Sequence, residues 1–227
     1  MVRIIGDVHN LIDEHRKDGF SFNPDATKRT YLDLIKGCRY SIQVGDMGYG
    51  KYFHKKMSQV DEFRHRVVLG NHDDYDRIIP HSLGDYGTYN IDSHSFSFVR
   101  GAFSIDRFCR TVGYDYWVNE ELTNEQGNKA IEYFNEKKYV HIMITHECPS
   151  FLLDEKHLIT KYSNCSEIKP SYTSRLLNEI YTNLVVDNWI FGHHHLNFDK
   201  VINNTRFICL NELAYVDVEN GKVGCIK

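Results

Sequence analysis

Four times along this chain a short apolar run ends on a glycine and is followed at once by side chains able to bind a cation. They are Val2 to Ile5 before Gly6-Asp7-Val8-His9, Tyr40 to Val44 before Gly45-Asp46, Arg66 to Leu69 before Gly70-Asn71-His72-Asp73, and Trp189 to Phe191 before Gly192-His193-His194-His195. A fifth run, Val140 to Thr145, leads directly into His146. Apolar runs this short and this rich in β-branched residues read as buried strands. A glycine at the end lets the backbone turn sharply and present the next side chains at the carboxyl end of a sheet. In open α/β sheets that is where sites are built, so the fold must bring these strand ends together.

Composition narrows the setting. At 227 residues the chain can bury a sizeable core, and with no repeat, linker or low-complexity tract it reads as one domain over 1–227. A net charge of −4 gives no basic track for long duplex nucleic acid. The six cysteines, at 38, 109, 148, 165, 209 and 225, show no C-x-x-C spacing and read as reduced, packed thiols. The N-terminal apolar run is too short for a signal peptide, and no stretch approaches a membrane span. A cytoplasmic protein is expected. Thirteen histidines favour metal or proton chemistry, with position deciding which of them take part.

Taken in order, the pattern predicts a helix within 21–37, stopped by Gly37, and a short helix over 53–63. Residues 74–92, rich in Asp, Gly, Pro and Tyr, read as loop, and 96–105 as one or two strands. Thr123 and Gln126 have the spacing of a capping box opening a helix that carries Ile131 and Phe134 inward and stops near Lys138. The polar 150–175 stretch, with His157, reads as an insertion over the site, a lid or specificity segment. A helix over 173–184 follows, and short strands joined by turns at Asn203-Asn204 and Glu219-Asn220-Gly221 close the chain. Strands alternating with helices early, then strand-rich ends, give an α/β protein with a second, more antiparallel sheet.

Singly, each block has a bland reading. Asp46 and Asn71 are common turn formers, His146 could be a satisfied histidine at the edge of a core, and Cys148 reads as a buried thiol rather than a nucleophile. Together, carboxylate, imidazole and amide oxygen suit manganese, iron, zinc or nickel, whereas structural zinc would call for thiolates. Eight such groups exceed what one ion needs. Two ions sharing a carboxylate, as in sites that generate a hydroxide and clamp a phosphoryl group, match that count.

The ordered set Asp7-x-His9, Gly45-Asp46, Gly70-Asn71-His72-Asp73, His146 and Gly192-His193-x-His195 resembles the calcineurin-like metallophosphoesterases, of a bacterial or phage type, over residues 4–195. The resemblance implies two packed mixed β-sheets flanked by α-helices, an αββα sandwich. It implies a dinuclear, metal-dependent hydrolase of phosphate mono- or diesters acting through a metal-bridging hydroxide, with manganese the first choice of metal. Carried over by position, Asp7, His9 and His195 would hold one ion, Asn71, His146 and His193 the other, and Asp46 would bridge. His72 would be the general acid, a role that suits a group titrating near neutral pH. His194 has no implied role, and if the segment continues as strand it points away from its neighbours.

Departures narrow the subfamily. The protein Ser/Thr phosphatase branch has Asp and Arg where this chain has Tyr49 and Gly50, and Gly where it has Asn10. That branch is disfavoured, and the partner orienting His72 must come from elsewhere, Asp73 or Asp74 being nearest in sequence. The segment from Gly101 to Arg107, with Arg110, Trp117 and Glu120-Glu121-Leu122, resembles one in bacterial and phage members. Arg107 and Arg110 are candidate phosphate contacts, since a guanidinium forks onto phosphate oxygens; salt bridges to Asp106 or Asp115 are the plain alternative. Tyr49 is a further candidate contact or an aromatic plug. The expected partner is a phosphate-ester substrate, a small molecule or nucleotide. The alternatives are a nucleotide-directed phosphodiesterase on the same site and a non-catalytic scaffold retaining the fold.

Overall fold

The computed structural model describes residues 1–14, 29–77, 79–153 and 170–227. Its strands are β1 (Val2–Ile5), β2 (Tyr40–Gln43), β3 (His65–Val67), β4 (Tyr86–Ile91), β5 (His94–Val99), β6 (Tyr139–Thr145), β7 (Val185–Phe191), β8 (Phe198–Ile202), β9 (Thr205–Cys209), β10 (Tyr215–Glu219) and β11 (Lys222–Val223). Its helices are α1 (Tyr31–Lys36), α2 (Lys51–Met57), α3 (Asn124–Lys137) and α4 (Tyr172–Asn183). The strands form two mixed sheets, ordered β11-β10-β1-β2-β3 and β4-β5-β6-β7-β9-β8. β1, β2 and β3 run parallel, as do β5, β6, β7 and β9, and antiparallel strands complete the edges.

Alternation of side chains across each strand builds three apolar layers. Ile4, Ile42, Ile144, Ile190 and Ile208 meet between the sheets. Met143, Trp189 and Phe191, the intervening residues, face outward onto Phe134 of α3 and Leu177 and Ile180 of α4. On the other outer face Ile5 and Val67 meet Tyr31 and Leu34 of α1 and Phe53 and Met57 of α2. The result is the expected αββα sandwich. Trp189 is fully buried, and its indole N–H donates to Thr145 Oγ1 at 2.9 Å, which removes the cost of burying that donor.

Local signals account for most of the elements. The Thr123 hydroxyl caps Gln126 N while the Gln126 side chain returns to Thr123 N, and α3 stops at Lys138 in a left-handed conformation, φ 60°. Two expectations need correction. β4 lies in the stretch read as loop: it pairs only with β5, is half-buried along most of its length and carries Gly87, so no alternation marks it. α2 begins at Lys51 and ends at Met57 rather than spanning 53–63, because residues 58–64 turn back to feed β3. Both inward residues of α3 meet the core as expected, Phe134 fully buried and Ile131 partly buried against the same cluster. Of the proposed insertion, residues 154–169, with His157, lie outside the described residues, as does the 21–28 part of the helix expected within 21–37. Among the described residues, no helix is long and apolar enough to cross a membrane.

Candidate metal centre

Parallel pairing points the carboxyl ends of β1, β2 and β3, and of β6 and β7, to one edge of the sandwich. There the loops carry Asp7 and His9, Asp46, Asn71 and His72, His146, and His193 and His195 into proximity. The glycines permit the approach. A Cβ on Gly70 would lie 2.5 Å from both the Asp46 amide nitrogen and Oδ1, and one on Gly192 would overlap the Asp7 carboxylate. Four of the side chains sit on left-handed backbone: His9 (φ 48°), Asp46 (58°), His193 (65°) and His195 (49°). Such conformations persist for non-glycine residues where surrounding structure over-determines them, and they cluster at functional sites.

Two groups of donor atoms result. Asp7, His9, Asp46 and His195 each place one ligand atom within 4.8 Å of the others, and so do Asp46, His146 and His193. In the first, His195 Nε2 lies 3.1 Å from Asp7 Oδ2 and 3.0 Å from His9 Nε2. In the second, His146 Nε2 lies 3.1 Å from Asp46 Oδ1 and 3.2 Å from Asn71 Oδ1. His146 Nδ1 donates to the Val44 carbonyl at 3.0 Å, which aims Nε2 at the site. Asp46 belongs to both groups, and its Oδ2 is buried with no hydrogen-bond partner among the described residues. An orphaned carboxylate oxygen facing converging nitrogens is costly unless a cation takes it up. The residues therefore fit two divalent ions held by oxygen and nitrogen.

Burial and charge set the protonation pattern. Burial drops His9 to about 4 and His193 to about 3, leaving neutral rings with free lone pairs. Burial also opposes charge on His146, but the Asp46 carboxylate and its hydrogen bond outweigh that and raise it to about 10. Asp46 is held well below the ordinary carboxylate range, because His146 and His72 overcome the burial that would raise it.

His72 stands at the rim, its backbone N–H donating to Asp46 Oδ1 at 2.7 Å. Burial lowers its pKa, and so does Arg110. Neither Asp73 nor Asp74 orients the ring. Asp73 turns inward to accept from the amides of Gly70 (2.7 Å), Asp46 (3.1 Å) and Gly48 (2.9 Å), tying two ligand loops together. Asp74 pairs with His54 at 2.9 Å. The residue on His72 is Arg110, with Nη1 2.6 Å from Nδ1 and Nη2 3.0 Å from Nε2. Arg110 is also gripped by Asp106 through Nε and Nη2, both at 2.7 Å, and donates to the Asp115 carbonyl at 3.1 Å. The salt bridge and the place at the site thus coexist. Arg107 instead lies over the Phe103 ring, 4.4 Å from its centroid. Tyr49 packs on Trp117 with ring centroids 5.3 Å apart, and its amide donates to Asn10 Oδ1 at 2.9 Å.

Three further residues support the site, two of them, Ser104 and Glu120, in the segment singled out by resemblance but with no role assigned from sequence. Glu120 accepts from the Ser104 amide at 2.8 Å and hydroxyl at 2.6 Å, and Ser104 Oγ in turn accepts from Asn71 Nδ2 at 3.0 Å, which turns the Asn71 oxygen towards His146. Glu147 lies 3.7 Å from His193 Nε2 and 2.9 Å from His194 Nε2. Strand alternation does not explain His194, because its neighbours His193 and His195 are in left-handed turns. The signal for Glu147 was its place directly after His146; the link from Glu120 through Ser104 to Asn71 exists only in the fold.

No family model and no curated protein matches the sequence. Solved structures do match. A Staphylococcus aureus protein designated a 5′-nucleotidase, in complex with alpha-ketoglutarate, is similar over 100% of this chain and 52% of that one, with a TM-score of 0.55 and 11% identity. This chain thus spans about half of that protein's length. A dimetal phosphatase from Danio rerio is similar over 96% of this chain and 92% of its own, with a TM-score of 0.53 and 14% identity. The protein TT1561 of Thermus thermophilus is similar over 99% of this chain and 97% of its own, with a TM-score of 0.51 and 10% identity. The sheet order, the flanking helices and these likenesses show that the chain shares the two-sheet α/β sandwich fold of these proteins.

Proposed function

We propose that this chain is a metal-dependent phosphoesterase that hydrolyses phosphate mono- or diesters of a small molecule or nucleotide. The observation that carries the reading is the sharing of Asp46, with its orphaned Oδ2, between two groups of oxygen and nitrogen donors. Asp7, His9, Asp46 and His195 would hold one ion, and Asp46, Asn71, His146 and His193 the other. Such mixed oxygen and nitrogen donors suit manganese, iron, zinc or nickel, and manganese is the first ion to test. When bound, two such ions supply Lewis acidity and a water acidified enough to attack phosphorus at neutral pH.

The protein's own groups do the rest. Arg110, held by Asp106, offers fixed N–H groups where a phosphate oxygen would lie beside His72. His72 hands a ring proton to the leaving oxygen as the ester bond breaks. Tyr49, close enough to Arg110 and Asp46 to feel their charge and backed by the buried Trp117 ring, is a candidate contact for the leaving group. The three apolar layers built on the two sheets support a single domain, and the free thiols among the described cysteines support a reducing, cytoplasmic setting.

The test is hydrolysis by metal-free protein reloaded with Mn²⁺, using aryl phosphate monoesters and diesters and cyclic nucleotides. Turnover of at least one class, abolished by chelation, is expected. Metal bound without any turnover would sink the reading in favour of a scaffold. His72→Asn should lower kcat by about 10²–10⁴-fold, the usual worth of a positioned acid.

A further inference from the structure

Beside the two groups that share Asp46 lies a third set of donors that neither uses. Glu147, Cys148 and His194 each offer one ligand atom, and the three atoms lie within 4.8 Å of one another. His194 Nε2 is 2.9 Å from Glu147 Oε1 and 3.3 Å from Cys148 Sγ. Around a four-coordinate zinc, with bonds of about 2.0–2.3 Å, ligand atoms sit roughly 3–4 Å apart. The observed separations come close to that spacing.

The backbone and its supports hold these side chains in place. Thr145 Oγ1 donates to the Glu147 carbonyl at 2.6 Å, Ser174 Oγ to the Cys148 carbonyl at 2.8 Å, and the Cys148 amide to Glu147 Oε1 at 2.8 Å. Cys148 is completely buried and Glu147 is 4% exposed, whereas the His194 side chain keeps 15% of its surface open. Within the protein, His194 Nε2–H donates to Glu147 Oε1 and the Cys148 thiol interacts with the same carboxylate, so the three donor atoms already converge on one point, with His194 Nε2 only 3.3 Å from Cys148 Sγ. A catalytic Cys-His pair is a poor account, because the carboxylate meets the nitrogen that faces the sulfur rather than orienting the ring through the other one.

We infer that Glu147, Cys148 and His194 form a third cation site, taking a single borderline-soft divalent ion such as zinc, with water on the exposed side of His194. On binding, the Cys148 thiol releases one proton to solvent, Glu147 binds as carboxylate and His194 through the Nε2 lone pair. Thiolate and carboxylate then balance the charge of the ion. Glu147 Oε2, 3.7 Å from His193 Nε2, links this site to the centre that shares Asp46.

Cobalt(II) loading of the full-length protein, stripped with chelator, tests this. The proposed ligands around Asp46 contain no sulfur, so a thiolate-to-cobalt charge-transfer band in the near ultraviolet reads the third site alone. The band is expected in the native protein and in Cys209→Ser, which alters the neighbouring buried thiol. It should vanish in Cys148→Ser, together with one equivalent of bound metal, and cobalt affinity should fall at least tenfold in His194→Ala, a partly exposed position that tolerates truncation. Absence of the band in native protein, its survival in Cys148→Ser, or its loss in Cys209→Ser would overturn the inference. In Asp46→Asn the band is expected to persist while hydrolysis fails, which separates this site from the proposed hydrolytic centre; loss of the band there would overturn its independence.

Discussion

Arg110 reaches across 38 residues of sequence to lay its guanidinium against His72, with Nη1 2.6 Å from Nδ1 and Nη2 3.0 Å from Nε2. Asp106 holds the same guanidinium by two bonds of 2.7 Å. This chain has Tyr49 and Gly50 where the protein phosphatase branch would carry Asp and Arg. The Asp106–Arg110 pair brings a carboxylate and a guanidinium to the His72 side of the site from a different segment.

Arg110→Ala should lower kcat/KM for phosphate esters by about a hundredfold, the usual loss when a fixed donor to the reacting group is removed. Arg110→Lys should recover only part of it, because an ammonium keeps the charge and loses the fork. Asp106→Asn should cost about tenfold, as expected of a residue that orients another. Steady-state kinetics on aryl phosphates decides; equal rates for native and Arg110→Ala protein would remove Arg110 from the site.

Asp46→Asn takes from both donor groups the one residue they share. Metal content measured after dialysis should fall by at least one equivalent, and hydrolysis should be lost even in excess Mn²⁺. Retention of both ions would show that Asp46 is not the shared ligand.

Asp73 binds no proposed ion yet accepts three backbone amides, those of Gly70, Asp46 and Gly48. Each orphaned buried donor costs about 1–3 kcal/mol. Asp73→Ala should therefore destabilise the protein by about 3 kcal/mol or more in chemical denaturation, with metal affinity falling as the loops loosen. A change below 1 kcal/mol would contradict the tie between these loops.

The Arg3–Asp217 pair predicts a pH effect. Arg3 donates from Nε at 2.8 Å and from Nη2 at 3.2 Å to the two carboxylate oxygens, and Lys227 Nζ lies 2.9 Å from Oδ2. Burial would raise the Asp217 pKa, but these partners hold it below the ordinary value. A depressed carboxylate contributes stability that is fully present above its unfolded pKa of about 4 and is lost as pH falls through the folded value. Asp217→Asn should cost about 1.5–3 kcal/mol at neutral pH, the usual worth of hydrogen bonds to a charged group. The variant should also show a flatter loss of stability below pH about 4, measured by denaturation across pH.

Much of the site was legible because each piece is local. A β-branched run, in four of the five cases a glycine, and a candidate ligand lie close together in sequence, so Asp7, His9, Asp46, Asn71, His146, His193 and His195 could be named before any fold was known. The α3 cap was legible for the same reason, since Thr123 and Gln126 answer each other within one turn. β4 was not, because an edge strand paired on one side has no alternation to betray it. His194 was assigned a direction by strand alternation, and the left-handed turns on either side of it void that argument.

By itself, then, the sequence determined the strands, the turns that end them and the chemical kinds of group at their tips, since these depend on side-chain shape and backbone freedom over a few residues. Tertiary structure decided which groups meet. Parallel pairing of β1, β2 and β3, and of β6 and β7, aimed five loops at one edge. Packing of the two sheets then set Asp46 between two clusters, turned Asp73 away from His72 and brought Arg110 to it. The physical reason is range. Turn and strand preferences act between neighbours, whereas the hydrogen bonds that choose the partners of His72, Asn71 and Glu147 span 26 to 75 residues and exist only once the sheets have closed on their core.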